Sequence, residues 1–343
     1  MTIARKNMPP THVRNSILDQ IAARLPEDKI RAIEVLSRVN AIYVEGHRDT
    51  VIRNKFEDYL AFSFANQRHG RRGKGRAFFI TGESGAGKTD AVEHLLKTHP
   101  TMQPIDTEFG PVLPFVSVSL RGAATLSILG NAILEAAGYG SKRKIAQGDV
   151  WNMMPAELAN LGVALVHIDE TQHLLAHAKE RDDLVKSLKG LMNDHEWPLR
   201  IVLSGMPEVN QMLLEDEQAE RRQFSVELPS ISLPEEISVV TKIITELSAA
   251  AEMDVSEVLT SDLPERIAHA ANYQYGRIAD VVIAAIYVAA LKSSKSLGRT
   301  HFARAYLMHA NVQGRDELNP FISDYWQKLD PGFFIANKQL YQS

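Results

Sequence analysis

A glycine-rich loop, flanked by a short apolar run and a helix-like run, constrains the fold of this chain more than any other stretch. The apolar run is residues 77–80, and the loop at residues 82–89 reads GESGAGKT. This loop satisfies the phosphate-binding pattern G-x-x-x-x-G-K-[ST] at every defined position. Glycines let the backbone approach a ligand closely, and the loop N–H groups converge on phosphate oxygens at the positive end of the following helix.

The loop therefore predicts a site for a nucleoside triphosphate. Lys88 is expected to reach the β- and γ-phosphates, and the Thr89 hydroxyl is expected to bind Mg²⁺. The residues expected to line the nucleotide are Gly82, Glu83, Ser84, Gly85, Ala86, Gly87, Lys88, Thr89 and Asp90. The alternative is a glycine-rich turn that matches by chance, and the strand-like and helix-like runs on either side argue against it.

A second apolar run ends in two acids further along the chain. Residues 165–170 read LVHIDE, so a buried strand would deliver Asp169 and Glu170 at its carboxyl end, beside the phosphate-binding loop. Asp169 is expected to hold Mg²⁺, mostly through water. Glu170 is expected to orient and polarise the attacking water, because phosphoryl transfer is catalysed mainly by positioning and charge stabilisation. The alternative is a strand end with two solvated acids.

Strand-like runs alternate with amphipathic helices through the middle of the chain, at residues 77–80, 115–120, 162–168, 200–203 and 224–228. This alternation is typical of a parallel sheet covered by helices on both faces. Beyond it, only helical periodicity continues. The predicted domains are a helical N-terminal region (1–75), an α/β nucleotide-binding subdomain (76–230), an all-α lid subdomain (231–310) and a C-terminal tail without clear period (311–343).

Composition and charge limit the remaining classes of protein. The 343 residues include no cysteine, which excludes disulfides and thiolate metal sites, and 45% are hydrophobic. The longest apolar run, residues 281–291, is too short to span a bilayer, and no N-terminal stretch resembles a signal peptide. We therefore expect a cytoplasmic protein with no membrane partner. The net charge is −4, so any binding to nucleic acid must depend on local basic patches.

Four more side chains are candidates for contact with the γ-phosphate. Ser204 follows a strand, where its hydroxyl could touch the phosphate or the water, although Ser-Gly is also an ordinary turn. Arg221 or Arg222 could act as an arginine finger on a neighbouring subunit, or the two could form a surface pair with nearby acids. Arg277 lies at a helix start, where the dipole favours acids, so a phosphate contact would explain it.

These features together resemble the AAA+ ATPases, and more closely the TniB/TnsC group of transposition regulators. The resemblance covers roughly residues 25–310 and rests on GESGAGKT, LVHIDE, the strand ending at Ser204, the Arg221-Arg222 pair and a helix beginning YGR. The subgroup is indicated by the helical N-terminal lead with its Tyr43-Val44 loop, and by the runs FVSVSLRGAATLSILGNAILEAAGYG and QAERRQFSVELP. The implied fold is an α/β AAA+ P-loop NTPase with a parallel five-stranded sheet and a C-terminal all-α lid. Position 204 is Ser where many AAA+ proteins have Asn.

The resemblance also implies an ATP- and Mg²⁺-dependent ATPase that forms a ring or helical filament on duplex DNA. Such proteins mark a transposition target site, work with target-selection proteins and recruit or activate a transposase. They hold the DNA backbone with the loop and helix after the second strand, which on this chain points to Arg121, Thr125, Lys142, Arg143 and Lys144. A multimer repeats these few contacts along the duplex. Their adenine sits against the N-terminal loop, which points to Val44 and His47.

Two other functions use the same loop. An AAA+ initiator or helicase loader would share the ATP site and differ only in its partner. A small-molecule kinase would also need an acceptor pocket, and the adjacent acids and separate helical lid argue against it. The basic run RHGRRGKGR at residues 68–76 is either a solvated loop or a phosphate contact.

Overall fold

The computed structural model describes residues 11–65, 76–120, 122, 124–139, 147–174, 178–207, 223–310 and 316–332. The chain divides into two compact units. Glu45–Ser230 forms one, which we call the sheet unit, and Met1–Val44 together with Ile231–Ser343 forms the other, which we call the helical unit.

Within the described residues, the two units contain twelve α-helices and seven strands. The helical unit begins with α1 (Thr11–Ala22) and α2 (Glu27–Asn40). The sheet unit contains α3 (His47–Ala65), β1 (Ala77–Gly82), α4 (Lys88–Thr98), β2 (Ile105–Thr107), β3 (Gly110–Val112), β4 (Phe115–Ser119), α5 (Leu126–Ala136), α6 (Gln147–Asn160), β5 (Leu165–Asp169), α7 (Ala178–Met192), β6 (Arg200–Gly205) and β7 (Gln223–Leu228). The helical unit resumes with α8 (Ile237–Ala250), α9 (Ser256–Leu259), α10 (Leu263–Ala270), α11 (Tyr275–Leu291) and α12 (Arg299–Ala310).

The sheet unit is built on a parallel five-stranded sheet in the order β4-β5-β6-β1-β7. This confirms the predicted parallel five-stranded sheet. In the observed order, β1 lies between β6 and β7. The order brings the carboxyl ends of β1, β5 and β6 to one edge of the sheet, where ligands bind in open α/β sheets. A short antiparallel hairpin of β2 and β3 precedes β4.

The inner strand β1 is buried along its whole length, since all six of its residues are buried. This burial explains the continuously apolar run at residues 77–80. Phe78 and Ile80 pack into a cluster with α3 and α4, whereas Ala77 and Phe79 pack into a second cluster with α5, α6 and α7. Alternate side chains of a strand point to opposite faces, so helices on both faces require apolar residues throughout. Full burial of each phenylalanine contributes about 1.5–3 kcal/mol.

The region expected to be a helical N-terminal domain, residues 1–75, is divided between the two units. Helix α3 lies on the sheet, where the Phe56 ring is 5.8 Å from the Phe78 ring. Helix α2 contributes Ala32 and Val39 to the core of the helical unit instead. The apolar face of each helix therefore selects a different core.

Helix α11 is the centre of the helical unit, and it packs against α2, α8, α10 and α12. Among the described residues, no single helix has the length and apolar composition needed to cross a membrane. Helices α10 and α11 meet that test only when taken together across a bend of 116°.

The described part of the C-terminal tail, residues 316–332, docks on the helical unit. Phe321 is 0% exposed and its ring stacks 5.5 Å from that of Phe302. Buried Arg266 donates to the carbonyl oxygens of Pro320 and Ser323, which fixes the segment's backbone. The buried Phe321 ring and the charge-assisted hydrogen bonds from Arg266 hold this segment in the core of the unit.

Candidate nucleotide-binding site

The phosphate-binding loop joins β1 to α4 in a conformation that glycine makes possible. Gly85 and Gly87 have φ values of 88° and 78°, and Gly87 caps α4. A Cβ atom on Gly82 would lie 2.8 Å from the Leu228 carbonyl oxygen, so only glycine fits there. Because glycine offers no side-chain cap, the first N–H groups of α4 remain suited to an anion such as a phosphate.

The side chain of Lys88 contacts the backbone of this loop. Its ammonium donates to the carbonyl oxygens of Gly82 at 2.8 Å and Glu83 at 3.0 Å. Burial lowers the pKa of Lys88, and the nearby carboxylates of Glu170, Asp169 and Glu83 oppose that shift. The Lys88 ammonium therefore contacts the loop backbone and lies within electrostatic reach of Asp169 and Glu170. Asp90 follows in the first turn of α4.

Thr89 and Asp169 come together although they are far apart in the chain. The Thr89 hydroxyl donates to Asp169 Oδ2 at 2.7 Å. A hydroxyl and a carboxylate are hard oxygen ligands of the kind that Mg²⁺ prefers. The residues present therefore fit a magnesium ion at this edge of the sheet.

A chain of hydrogen bonds runs from Asp169 into the sheet. The buried Ser204 hydroxyl donates to Asp169 Oδ1, and Ser204 Oγ lies 2.8 Å from His167 Nε2. On the other side of the ring, His167 Nδ1 lies 2.8 Å from Ser117 Oγ. Burial lowers the pKa of His167 to about 4, against the opposing charges of Asp169 and Glu93. The imidazole is therefore neutral near pH 7.

Glu170 adopts a left-handed backbone conformation, with φ 56°, directly after β5. Non-glycine residues in this region are uncommon and are concentrated at functional sites. Its carboxylate accepts a hydrogen bond from Gln172 Nε2, and Gln172 Oε1 in turn accepts from the Met206 backbone N–H at 3.3 Å. Gln172 thus ties Glu170 to the end of β6. The side chain of Glu170 is still partly exposed.

Helix α3 supports the loop through a residue that sequence reasoning missed. Arg48 donates from a guanidinium nitrogen to the Ala86 carbonyl oxygen at 2.7 Å. His47, predicted to contact adenine, is exposed at the start of α3. Val44, predicted to contact adenine as well, is buried in the core of the helical unit, where its carbonyl oxygen accepts from the Tyr275 hydroxyl.

The remaining predicted site residues are Arg277, Thr125 and a group of arginines and lysines that the structure does not describe. Arg277 lies in the first turn of α11, within the helical unit. Thr125 is exposed and caps α5, because its Oγ1 accepts from the Ile128 N–H at 3.3 Å. Six predicted residues lie outside the described residues: Arg121, Lys142, Arg143, Lys144, Arg221 and Arg222.

Comparison with known proteins adds the family. The family model of the bacterial TniB protein matches residues 54–233, which is more than half of the chain. This chain belongs to the TniB family. No curated protein matches it significantly.

The solved structures that resemble this TniB-family chain have the AAA+ fold. The ORC2 protein of Aeropyrum pernix, in its ADPNP–ADP complexes, matches with a TM-score of 0.52 and 17% identity, over 73% of this chain and 66% of that chain. Cdc6p of Pyrobaculum aerophilum matches with a TM-score of 0.55 and 14% identity, over 79% of this chain and 70% of that chain. Identities this low show the fold alone, and they confirm the AAA+ fold predicted from the sequence.

Proposed function

We propose that this TniB-family chain is an ATPase that assembles on duplex DNA, marks a target site for transposition, and recruits or activates a transposase. One observation carries the ATPase part. The Thr89–Asp169 hydrogen bond joins the phosphate-binding loop to β5, the strand directly before Glu170, which supports phosphate, metal and water sites at one edge of the sheet.

Each residue of the site has a role in this proposal. The ammonium of Lys88 exchanges the carbonyl oxygens of its loop for β- and γ-phosphate oxygens. Thr89 and Asp169 would hold Mg²⁺, which would supply positive charge against the phosphates. Glu170 orients the attacking water and is itself held by Gln172. Catalysis by these groups is positioning and charge stabilisation, as phosphoryl transfer requires.

Family membership supports the DNA-dependent part of the proposal. Arg121, Thr125 and the basic run 142–144 are the proposed contacts to the DNA backbone. Each subunit needs only a few such contacts, because an oligomer repeats them along the duplex. Arg221 or Arg222 would reach the γ-phosphate of the neighbouring subunit, so bound ATP would favour assembly, and Arg277 is a further proposed γ-phosphate contact.

Electron microscopy of the protein with duplex DNA and a non-hydrolysable ATP analogue tests this function. At low salt we expect rings or filaments on DNA with the analogue, and no assembly without nucleotide. A protein that stays monomeric and ignores DNA under these conditions contradicts the proposal. Co-purification with a replicative helicase in place of a transposase would identify an AAA+ initiator or helicase loader instead.

A further inference from the structure

Asp169, the proposed metal-binding carboxylate, accepts a hydrogen bond from Ser204, and Ser204 in turn contacts the buried His167. We propose that Ser204 and His167 form a positioning relay, in which His167 orients the Ser204 hydroxyl and that hydroxyl orients Asp169. Ser204 then acts through Asp169, and not by donating a hydrogen bond to the nucleotide. This inference rests on the proposed ATPase function and names two positioning residues for it.

The hydroxyl of Ser204 has a single hydrogen, and its neighbours decide where that hydrogen goes. The ionised carboxylate of Asp169 can only accept, so Ser204 is the donor in the bond to Oδ1. A phosphate oxygen would also require a donor. Ser204 cannot supply its one hydrogen to both groups, and it is 0% exposed. In this arrangement its hydrogen belongs to Asp169.

The assignment of donors and acceptors around Ser204 also determines the tautomer of His167. Because Ser204 gives its hydrogen to Asp169, its oxygen must accept from His167 Nε2, which therefore carries the ring proton. A neutral imidazole has one N–H, so Nδ1 accepts from the Ser117 hydroxyl. The three groups lie on adjacent strands, and Ser117 is paired in register with His167. The relay is thus built into the sheet.

The relay leaves one carboxylate oxygen of Asp169 for the metal site. Oδ1 is engaged by Ser204, and Oδ2 faces the Thr89 hydroxyl at 2.7 Å. Rotation about the last side-chain bond of an aspartate is otherwise broad. Hydrogen bonds that orient a metal ligand typically change metal affinity or activity by about 10–100-fold when they are removed.

Manganese binding tests the relay without relying on turnover. Electron paramagnetic resonance would measure the affinity of the full-length protein for Mn²⁺ in the presence of a non-hydrolysable ATP analogue. For Ser204→Ala and His167→Leu we expect Mn²⁺ affinity to fall about 10–100-fold. Affinity for the analogue in EDTA should stay within about twofold, since neither side chain faces the nucleotide in this arrangement.

His167→Gln is the matched conservative variant. Its amide Nε2–H can replace the imidazole Nε2–H as a donor to Ser204, so we expect Mn²⁺ affinity within about threefold of wild type. Circular dichroism checks that each variant is folded. If His167→Leu does not fold, Ser204→Ala carries the test, because it removes one oxygen atom only.

Three results would contradict the proposed relay. One is wild-type Mn²⁺ affinity in a folded Ser204→Ala, and another is a loss of analogue affinity in EDTA that matches the loss of Mn²⁺. The third is no improvement of His167→Gln over His167→Leu. A wild-type protein that binds no analogue under any condition would instead contradict the proposed ATPase function, and the relay with it.

Discussion

The ammonium of Lys88 donates to the carbonyl oxygen of Gly82, six residues earlier, at 2.8 Å. The lysine ammonium is therefore held against the backbone of the phosphate-binding loop. Burial lowers its pKa, while the nearby acids favour the charged form. An incoming triphosphate has only to replace two backbone oxygens with stronger, charged acceptors.

Replacing this lysine should abolish tight nucleotide binding. For Lys88→Ala we expect affinity for an ATP analogue to fall at least about 10–100-fold, because hydrogen bonds to charged groups contribute about 1.5–3 kcal/mol. Isothermal titration calorimetry would measure it. Lys97→Ala is the control, since Lys97 lies on the same helix and pairs with exposed Glu93 at 2.7 Å. An equal loss in both variants would assign the effect to helix α4 in general.

Replacing the proposed water-orienting acid should separate binding from hydrolysis. For Glu170→Gln we expect phosphate release to slow about 10²–10⁴-fold, the usual contribution of a positioned general base. Affinity for ATP should remain near wild type, and ATP-dependent assemblies on DNA should persist longer. Glu93→Gln, on the exposed face of α4, should hydrolyse normally. Hydrolysis at the wild-type rate in Glu170→Gln would show that another group orients the water.

The C-terminal segment should contribute directly to the stability of the helical unit. Phe321→Ala removes a ring that is 0% exposed, so we expect a loss of about 3–5 kcal/mol. Tyr325→Ala, in the same segment, removes a side chain that is 69% exposed and should change stability by less than about 0.5 kcal/mol. Urea unfolding of the two variants would compare them. Equal effects would mean that the segment is not anchored through Phe321.

Acid should weaken the same region through His269. Its ring is 4% exposed and lies edge-on to Trp326 at 5.2 Å. Burial lowers its pKa, against the opposing effects of the Leu329 backbone and the charge of Asp330. The unfolded chain takes up a proton near pH 6.5 and the folded chain does so only at lower pH. Stability is therefore fully present above about pH 6.5 and is lost as pH falls below it.

Thermal unfolding at pH 7.5 and pH 5.5 would measure this loss. His269→Gln should show a smaller difference between the two conditions than wild type, because the titrating group is gone. His195→Gln, an exposed histidine of the sheet unit, is the control and should keep the wild-type difference. The same pH dependence in His269→Gln and wild type would exclude His269 as the cause.

The proposed DNA contact at Arg121 predicts a change in salt dependence. Arg121→Ala should weaken binding similarly for all sequences and reduce the slope of log K against log salt by about 1, as expected for a phosphate contact. Fluorescence anisotropy over a salt series would measure the slope. Arg31→Ala, at an exposed side chain of α2, should leave it unchanged. A loss confined to one DNA sequence would indicate readout of bases.

The parts of the fold that depend on local pattern could be predicted from the sequence. Residues 77–80 are apolar throughout because both faces of β1 are covered, and this pattern predicts the strand directly. The loop glycines and Lys88 were found because phosphate binding fixes residue types at fixed spacing. Thr89 and Asp169 were expected to meet because parallel strands present their carboxyl ends at one edge.

The relay behind Asp169 could not be found in the same way. His167 stands alone in an apolar run, where it reads as an isolated buried polar residue. Its partners Ser117 and Ser204 become neighbours only when β5 is placed between β4 and β6, and no local pattern states that order. Phe321 was missed for a similar reason, since a segment without regular structure has no period to show which side chain is buried. Arg277, Arg221 and Arg222 remain predictions as phosphate contacts.

The division of the chain has a consequence for how the protein is made. Helix α2 leaves the ribosome early, but α8 and α11, against which it packs, come only after all of Glu45–Ser230. The sheet unit, in contrast, is contiguous and can complete its core while the rest of the chain is still being synthesised. During that interval Ala32 and Val39 have no core to enter. An N-terminal truncation past residue 44 would therefore remove part of a domain that is otherwise encoded at the far end of the gene.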